Sequence, residues 1–126
     1  GRAMTINEAI ARVDALRENL MPPDQKILWL ENVDRAVYEE IIKGREGEDA
    51  VTFPQYSEND GERELLVPPP YDMLYVYRLE AEIYYTLNEI KKQANALIRY
   101  NELLSAYANK YAREHRALPH PPVIYY

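Results

Sequence analysis

Cysteine is absent from the 126 residues. That excludes disulfides, thiolate nucleophiles and cysteine-based zinc sites, and it fits a reducing compartment. Histidine is scarce as well: His115 and His120 both fall toward the C-terminal end. Ser57 and Ser105 sit in no nucleophile motif, so nucleophilic catalysis has little to draw on. With only four glycines the chain has no glycine-rich phosphate loop. No run of about 18 apolar residues exists to span a membrane. No apolar stretch follows the opening "GRAMTINEAI" to make it a signal peptide, and Gly1 to Ala3 read as a remnant ahead of Met4. Basic residues are outnumbered 15 to 21, giving a net charge of −6, and they are scattered; this argues against direct nucleic-acid readout. Phenylalanine and tryptophan occur once each, against 12 tyrosines.

What is present is helical periodicity. Hydrophobic content of 47% with 29% charged residues suits one globular domain. Thr5 with Glu8 forms a capping box, and Ile6, Ala9, Ile10, Val13, Leu16 and Leu20 follow at helical spacing up to Pro22 and Pro23. A second helix starts at Pro23 or Asp24, buries Ile27, Leu30, Val33, Val37, Tyr38 and Ile41, and stops at Gly44. Residues 45–67 have no helical period and carry seven acids against two arginines. Within them "AVTF" and "ELLV" are candidates for a short hairpin around "SENDG". A connection this long suits either a solvated insertion or a functional loop, and in the second case it should project from the helical body. A third helix covers residues 71–87 after a stiff triple proline; Asn88 offers a break before a fourth that runs to about His115, or the two form one bent rod, since no proline separates them. The expectation is an all-α, four-helix-bundle-like domain over residues 4–117, with an extended, proline-bearing tail at 118–126.

The helical faces leave residues over. On the third helix Val76, Leu79, Ile83, Leu87 and Ile90 define the buried side, with Tyr77 and Tyr84 at its edge. Tyr75 and Tyr85 fall on the polar side near Arg78, Glu82 and Glu89. On the fourth helix Leu97, Tyr100, Leu104, Tyr107, Ala108 and Tyr111 form the inner stripe, while Leu103 points away. Trp29 lies off the main stripe of the second helix. Trp29, Tyr75, Tyr85 and Leu103 are therefore candidate interface residues, tyrosine giving large contact area at small entropic cost. The tail residues Val123, Ile124, Tyr125 and Tyr126 join them, being too apolar for a solvating tail.

Two acids break the pattern in the opposite sense. Asp34 lies among Leu30, Val37, Tyr38 and Ile41, and Glu80 among Val76, Tyr77, Tyr84 and Leu87. Buried carboxylates need hydrogen bonds or a cation. As a catalytic pair or metal site they would make a small all-α metal-dependent nucleotide hydrolase, the alternative function. The acidic motifs that chemistry needs are only echoed, at the wrong spacing, by "YEE" at 38–40 and "EAE" at 80–82, and no Glu-x-x-His pair exists. We read the two as structural acids near the contact of the second and third helices, satisfied by tyrosine hydroxyls, Trp29 or Arg35, and expect neither catalysis nor a cofactor or metal.

The stretches "LLVPPPYDMLYVYRLEAEIYYTLNEIKK", "YNELLSAYANKYAREH" and "ILWLENVDRAVYEEII" resemble small head–tail connector proteins of tailed phages and prophages. The resemblance covers residues 4–115 and leaves the tail "PHPPVIYY" outside. It implies an all-helical structural subunit that assembles with copies of itself into a ring, commonly of twelve, beneath the portal protein. The ring would extend the DNA channel and receive the next head-completion or tail protein. The protein would sit in the bacterial cytoplasm before assembly and in the virion neck afterwards. An acidic lining would let DNA pass without holding it.

Overall fold

The computed structural model describes residues 2–45 and 55–117. The fold is all-α. Four helices follow in order: α1 (Ile6–Leu16), α2 (Pro23–Val37), α3 (Met73–Thr86) and α4 (Ile90–Glu114). α2 continues into one wide π-helical turn, Tyr38–Ile42, and stops at Gly44, whose φ of 81° favours glycine. The proposed tail at residues 118–126 and the strand "AVTF" lie outside the described residues.

α3 is the hub. It packs on α1, α2 and α4, and its Leu74, Tyr75, Val76, Leu79, Ala81 and Ile83 are all buried. Around it close Ile6, Ala9 and Val13 of α1 and Ile27, Leu30, Val33 and Val37 of α2. α4 packs chiefly on α3, burying Ala96 and Tyr107 and leaving its outer side in solvent. Lys26 is buried and joins α2 to α1 through Asp14 Oδ1 at 2.7 Å.

The capping box at Thr5 and Glu8 is present. It satisfies only part of what a helix start requires, since the first N–H groups have no partner inside the helix. The rest comes from the 55–67 segment: Ile6 N–H donates to Arg63 O (3.1 Å) and Asn7 N–H to Gly61 O (2.9 Å). Leu65 N–H in turn donates to Met4 O at 2.9 Å. "ELLV" therefore runs along the N-terminal lead of α1, with a single bridge between Thr5 and Glu64, where a hairpin with "AVTF" was expected. Nor does this half of the acidic connection project: Tyr56, Leu65 and Val67 are core residues.

One boundary differs from the sequence expectation. α1 ends at Leu16, because Arg17 is extended and Asn19 folds the chain over by accepting from Met21 N–H and donating to Arg17 O. Leu20 is consequently 99% exposed rather than part of the stripe. Of the two alternatives at Asn88, the break is the one observed: with φ 58° it separates α3 from α4, which are not one bent rod. The break resets the helical register, so Leu87 and Ile90 leave the core face and are exposed.

Candidate functional site

Asp34 stands on the inner side of α2, one turn beyond Glu31, and is 0% exposed. Its carboxylate accepts from Tyr75 Oη at 2.5 Å, from Tyr56 Oη at 2.8 Å and from Leu66 N–H at 3.3 Å. Tyr75 Oη accepts from Val67 N–H at 2.8 Å, which extends the network by one residue. Glu31 accepts from Tyr56 N–H at 2.6 Å and pairs with Arg35. Two carboxylates of α2 thus clasp the 55–67 segment against α3. Burial pushes the Asp34 carboxyl up to about 6, against the opposing pull of the tyrosine and Leu66 hydrogen bonds. Burial beside that carboxylate drives the Tyr75 and Tyr56 hydroxyls up as well, so both remain donors.

The sequence reading of Asp34 as a buried acid satisfied by tyrosine hydroxyls holds; its reading of Tyr75 as an interface residue does not. Tyr75 is 0% exposed and is the largest of the fully buried side chains. A one-sided helix would leave position 75 in solvent, but α3 is covered on several sides. Glu31 escaped notice, although its place three residues before Asp34 puts it on the same helical face. Tyr56 carried no periodic signal at all.

Glu80 does not join Asp34. It lies half-buried in an open cleft of about 490 Å³ between α3, α4 and the end of α1, lined also by Tyr77, Tyr84, Lys92 and Arg99. Burial raises its carboxyl, while the Tyr84 hydroxyl and the Arg99 charge oppose the rise. The expected placement of both acids at the α2–α3 contact is therefore corrected, because Glu80 faces α4. Among the described residues no group of three or more His, Cys, Asp and Glu is arranged to hold a metal ion.

The other interface candidates separate too. Trp29 is half-buried under the Arg78 guanidinium, 4.5 Å from its ring centre, and Arg78 also ion-pairs with Glu82 at 3.0 Å. Leu103 is half-buried against the core. Both are corrected from free surface to intramolecular packing. Tyr85 remains, 67% exposed. Val123, Ile124, Tyr125 and Tyr126 lie outside the described residues.

Tyr85 belongs to a larger apolar surface that sequence patterning assigned to the core. The α1–α2 connection and the α3–α4 turn meet at one end of the molecule, joined by Arg17 and Glu89 at 3.3 Å. They frame an open cleft of about 830 Å³ whose walls include Arg17, Leu20, Met21, Pro22, Thr86 and Leu87. Leu16 and Ile90, the latter 69% exposed, belong to the same two junctions. This end is called the apolar pole below. Leu20 and Leu87 share this cleft, while Leu16 lines the neighbouring cleft that holds Glu80; clustered exposed apolar side chains mark interaction sites, whereas isolated exposed leucines do not.

No protein-family model, curated protein or solved structure matches the chain significantly.

Proposed function

We propose that this protein is a structural subunit of a larger assembly, and specifically a head–tail connector that forms a ring below a phage portal and extends its DNA channel. The carrying observation is the apolar pole. Leu16, Leu20, Tyr85, Leu87 and Ile90, at or beside the α1–α2 and α3–α4 junctions, make up most of the large apolar side chains exposed among the described residues, with Leu28 and Ile98 exposed elsewhere. The sequence resemblance to connectors supplies the kind of assembly. The acids support the same reading: Asp34 and Glu31 direct their oxygens to a structural segment, and Glu80 faces a different helix. A negative net charge suits a channel through which DNA slides.

The test sets the two functional classes against each other. Purified protein is mixed with a portal ring and sedimented, and in parallel its melting temperature is followed with magnesium, manganese and nucleoside triphosphates. The connector reading predicts cosedimentation with the portal and an unmoved melting temperature. A metal- or nucleotide-dependent rise in melting temperature without portal binding would favour the hydrolase, because a ligand that binds only the native state stabilises it.

A further inference from the structure

The cleft that holds Glu80 has a regular internal plan. Two cation–ring contacts set the register of α3 against α4. The Lys92 ammonium lies 6.0 Å from the Tyr84 ring centre, and the Arg99 guanidinium lies 5.7 Å from that of Tyr77. Each contact closes one level of the helix pair. Glu80 and Ala96 line the level between them. Ala96 offers only a methyl group there, so the space that a larger residue of α4 would fill stays open beside the Glu80 carboxylate. Lys92 and Arg99 are seven residues apart, which separates their stems by ~10.5 Å along the helix axis. The cleft thus presents one carboxylate between two cations, in a volume of about 490 Å³ that suits a small molecule.

Each of the three charges has capacity left over. Burial holds the Glu80 carboxyl above its ordinary value, so the Tyr84 hydroxyl and the Arg99 charge only partly offset what the group loses by leaving water. A cation brought into the cleft would make up the difference. Arg99 keeps its fork of N–H donors while it lies over Tyr77. Lys92 reaches Glu89 at 3.7 Å, and that acid is also held by Arg17 at 3.3 Å. Both cations can therefore donate to an incoming carboxylate.

The geometry points to a binding site for a small zwitterion with one ammonium group and two carboxylates, the class of the acidic α-amino acids. The ammonium group meets the Glu80 carboxylate at the Ala96 level. One carboxylate takes the Arg99 fork and the other takes the Lys92 ammonium. The net charges complement each other, two cations and one carboxylate on the protein against one cation and two carboxylates on the ligand. The lengths agree as well. The carboxyl carbons of an extended five-carbon chain stand roughly 5 Å apart. A charge-assisted hydrogen bond of about 2.8 Å at each end brings the span close to that of the two cations. A plain dicarboxylate would set a like charge beside Glu80, and a plain amine would leave both cations unused. The inference concerns a different face from the apolar pole and does not depend on the assembly reading.

The test titrates isotopically labelled full-length protein with L-glutamate and follows its amide resonances. Glutarate, which lacks the ammonium group, and γ-aminobutyrate, which lacks one carboxylate, are titrated in parallel. L-glutamate at millimolar concentration should shift amides of residues 77–84 and 92–99. The two analogues should bind about tenfold or more weakly, since each leaves a charged group of the cleft without its partner. Glu80→Gln should weaken L-glutamate by a similar factor and bind glutarate at least as well as the wild type does, because the like charge is gone. Arg99→Gln should weaken both ligands, and its exposed position makes it the variant to rely on should Glu80→Gln lose its fold. No shift with L-glutamate, shifts confined to other parts of the chain, or equal affinity for all three compounds would overturn the proposal. So would wild-type affinity for L-glutamate in either variant.

Discussion

The clasp on α2 and the apolar pole are built from the same materials, leucines, tyrosines and carboxylates, and use them in opposite ways. At the clasp Tyr56, Leu65, Val67 and Tyr75 are buried, and the Asp34 carboxylate holds two hydroxyls and a backbone N–H. At the pole Leu16, Leu20, Tyr85, Leu87 and Ile90 are exposed among the described residues. A small domain must bury most of its apolar surface merely to be stable. One that leaves five large apolar side chains open at a single end has a use for that end outside its own fold. Changes at the clasp should therefore damage folding and changes at the pole should damage association, and each variant below probes that division.

The largest effect is expected from deleting residues 55–64. α1 loses the acceptors for its Ile6 and Asn7 N–H groups, and α2 loses Tyr56, which donates to both Glu31 and Asp34. Cooperative thermal unfolding monitored by circular dichroism should disappear. Next comes Asp34→Ala, which strands two tyrosine hydroxyls and the Leu66 N–H in the interior. It should cost about 3–5 kcal/mol in urea unfolding. Tyr75→Phe removes one donor to Asp34 and leaves the Val67 N–H unpaired, and it should cost about 1–3 kcal/mol by the same measurement.

How legible this division was follows from the geometry of each helix. α1, α2 and α4 each have solvent along one side, so their apolar periodicity in the sequence marks their buried faces. α3 is surrounded, so periodicity alone put Tyr75 on a polar side that the folded molecule does not have. Asp34 could be read as a buried acid because its neighbours along α2 are apolar. Its partners could not, because Tyr56 and Leu66 lie in a segment with no period. The pole was hidden for a third reason. Leu20, Leu87 and Ile90 continue helical stripes on paper, and only the extended Arg17 and the left-handed Asn88 take them off the core face. No pattern in the sequence announces where a register is reset.

The pH dependence of stability sharpens the clasp side further. With the folded carboxyl of Asp34 near 6 against an ordinary 3.8, the folded state binds the proton more tightly than the unfolded one. This group's contribution is therefore fully present below about pH 4 and is lost as the pH rises through 6, by on the order of 2–3 kcal/mol. Its charged and titratable surroundings are Tyr56 and Tyr75 in direct contact, and beyond Tyr56 the Glu31 carboxylate and the Arg63 guanidinium, which lies over the Tyr56 ring at 5.1 Å. Asp14 and Glu8 lie below their ordinary values and work in the opposite direction, so the quantity to follow is a difference. The stability of wild type minus that of Asp34→Asn should fall between pH 4 and pH 7.

The smallest effect on folding is expected at the pole. Leu20→Asp should change the unfolding free energy by no more than about 0.5 kcal/mol, since it removes no buried contact. Association should weaken in the same variant, which separates the two ends of the molecule in a single protein.

The most direct measurement is hydrogen–deuterium exchange on the free chain and on the assembled form, whether self-assembled or bound to a portal ring. Assembly should slow exchange at residues 16–25 and 85–92 and leave the clasp at 55–67 unchanged, because the clasp is already closed within one chain. Protection gained at the clasp with none at the pole would contradict the account.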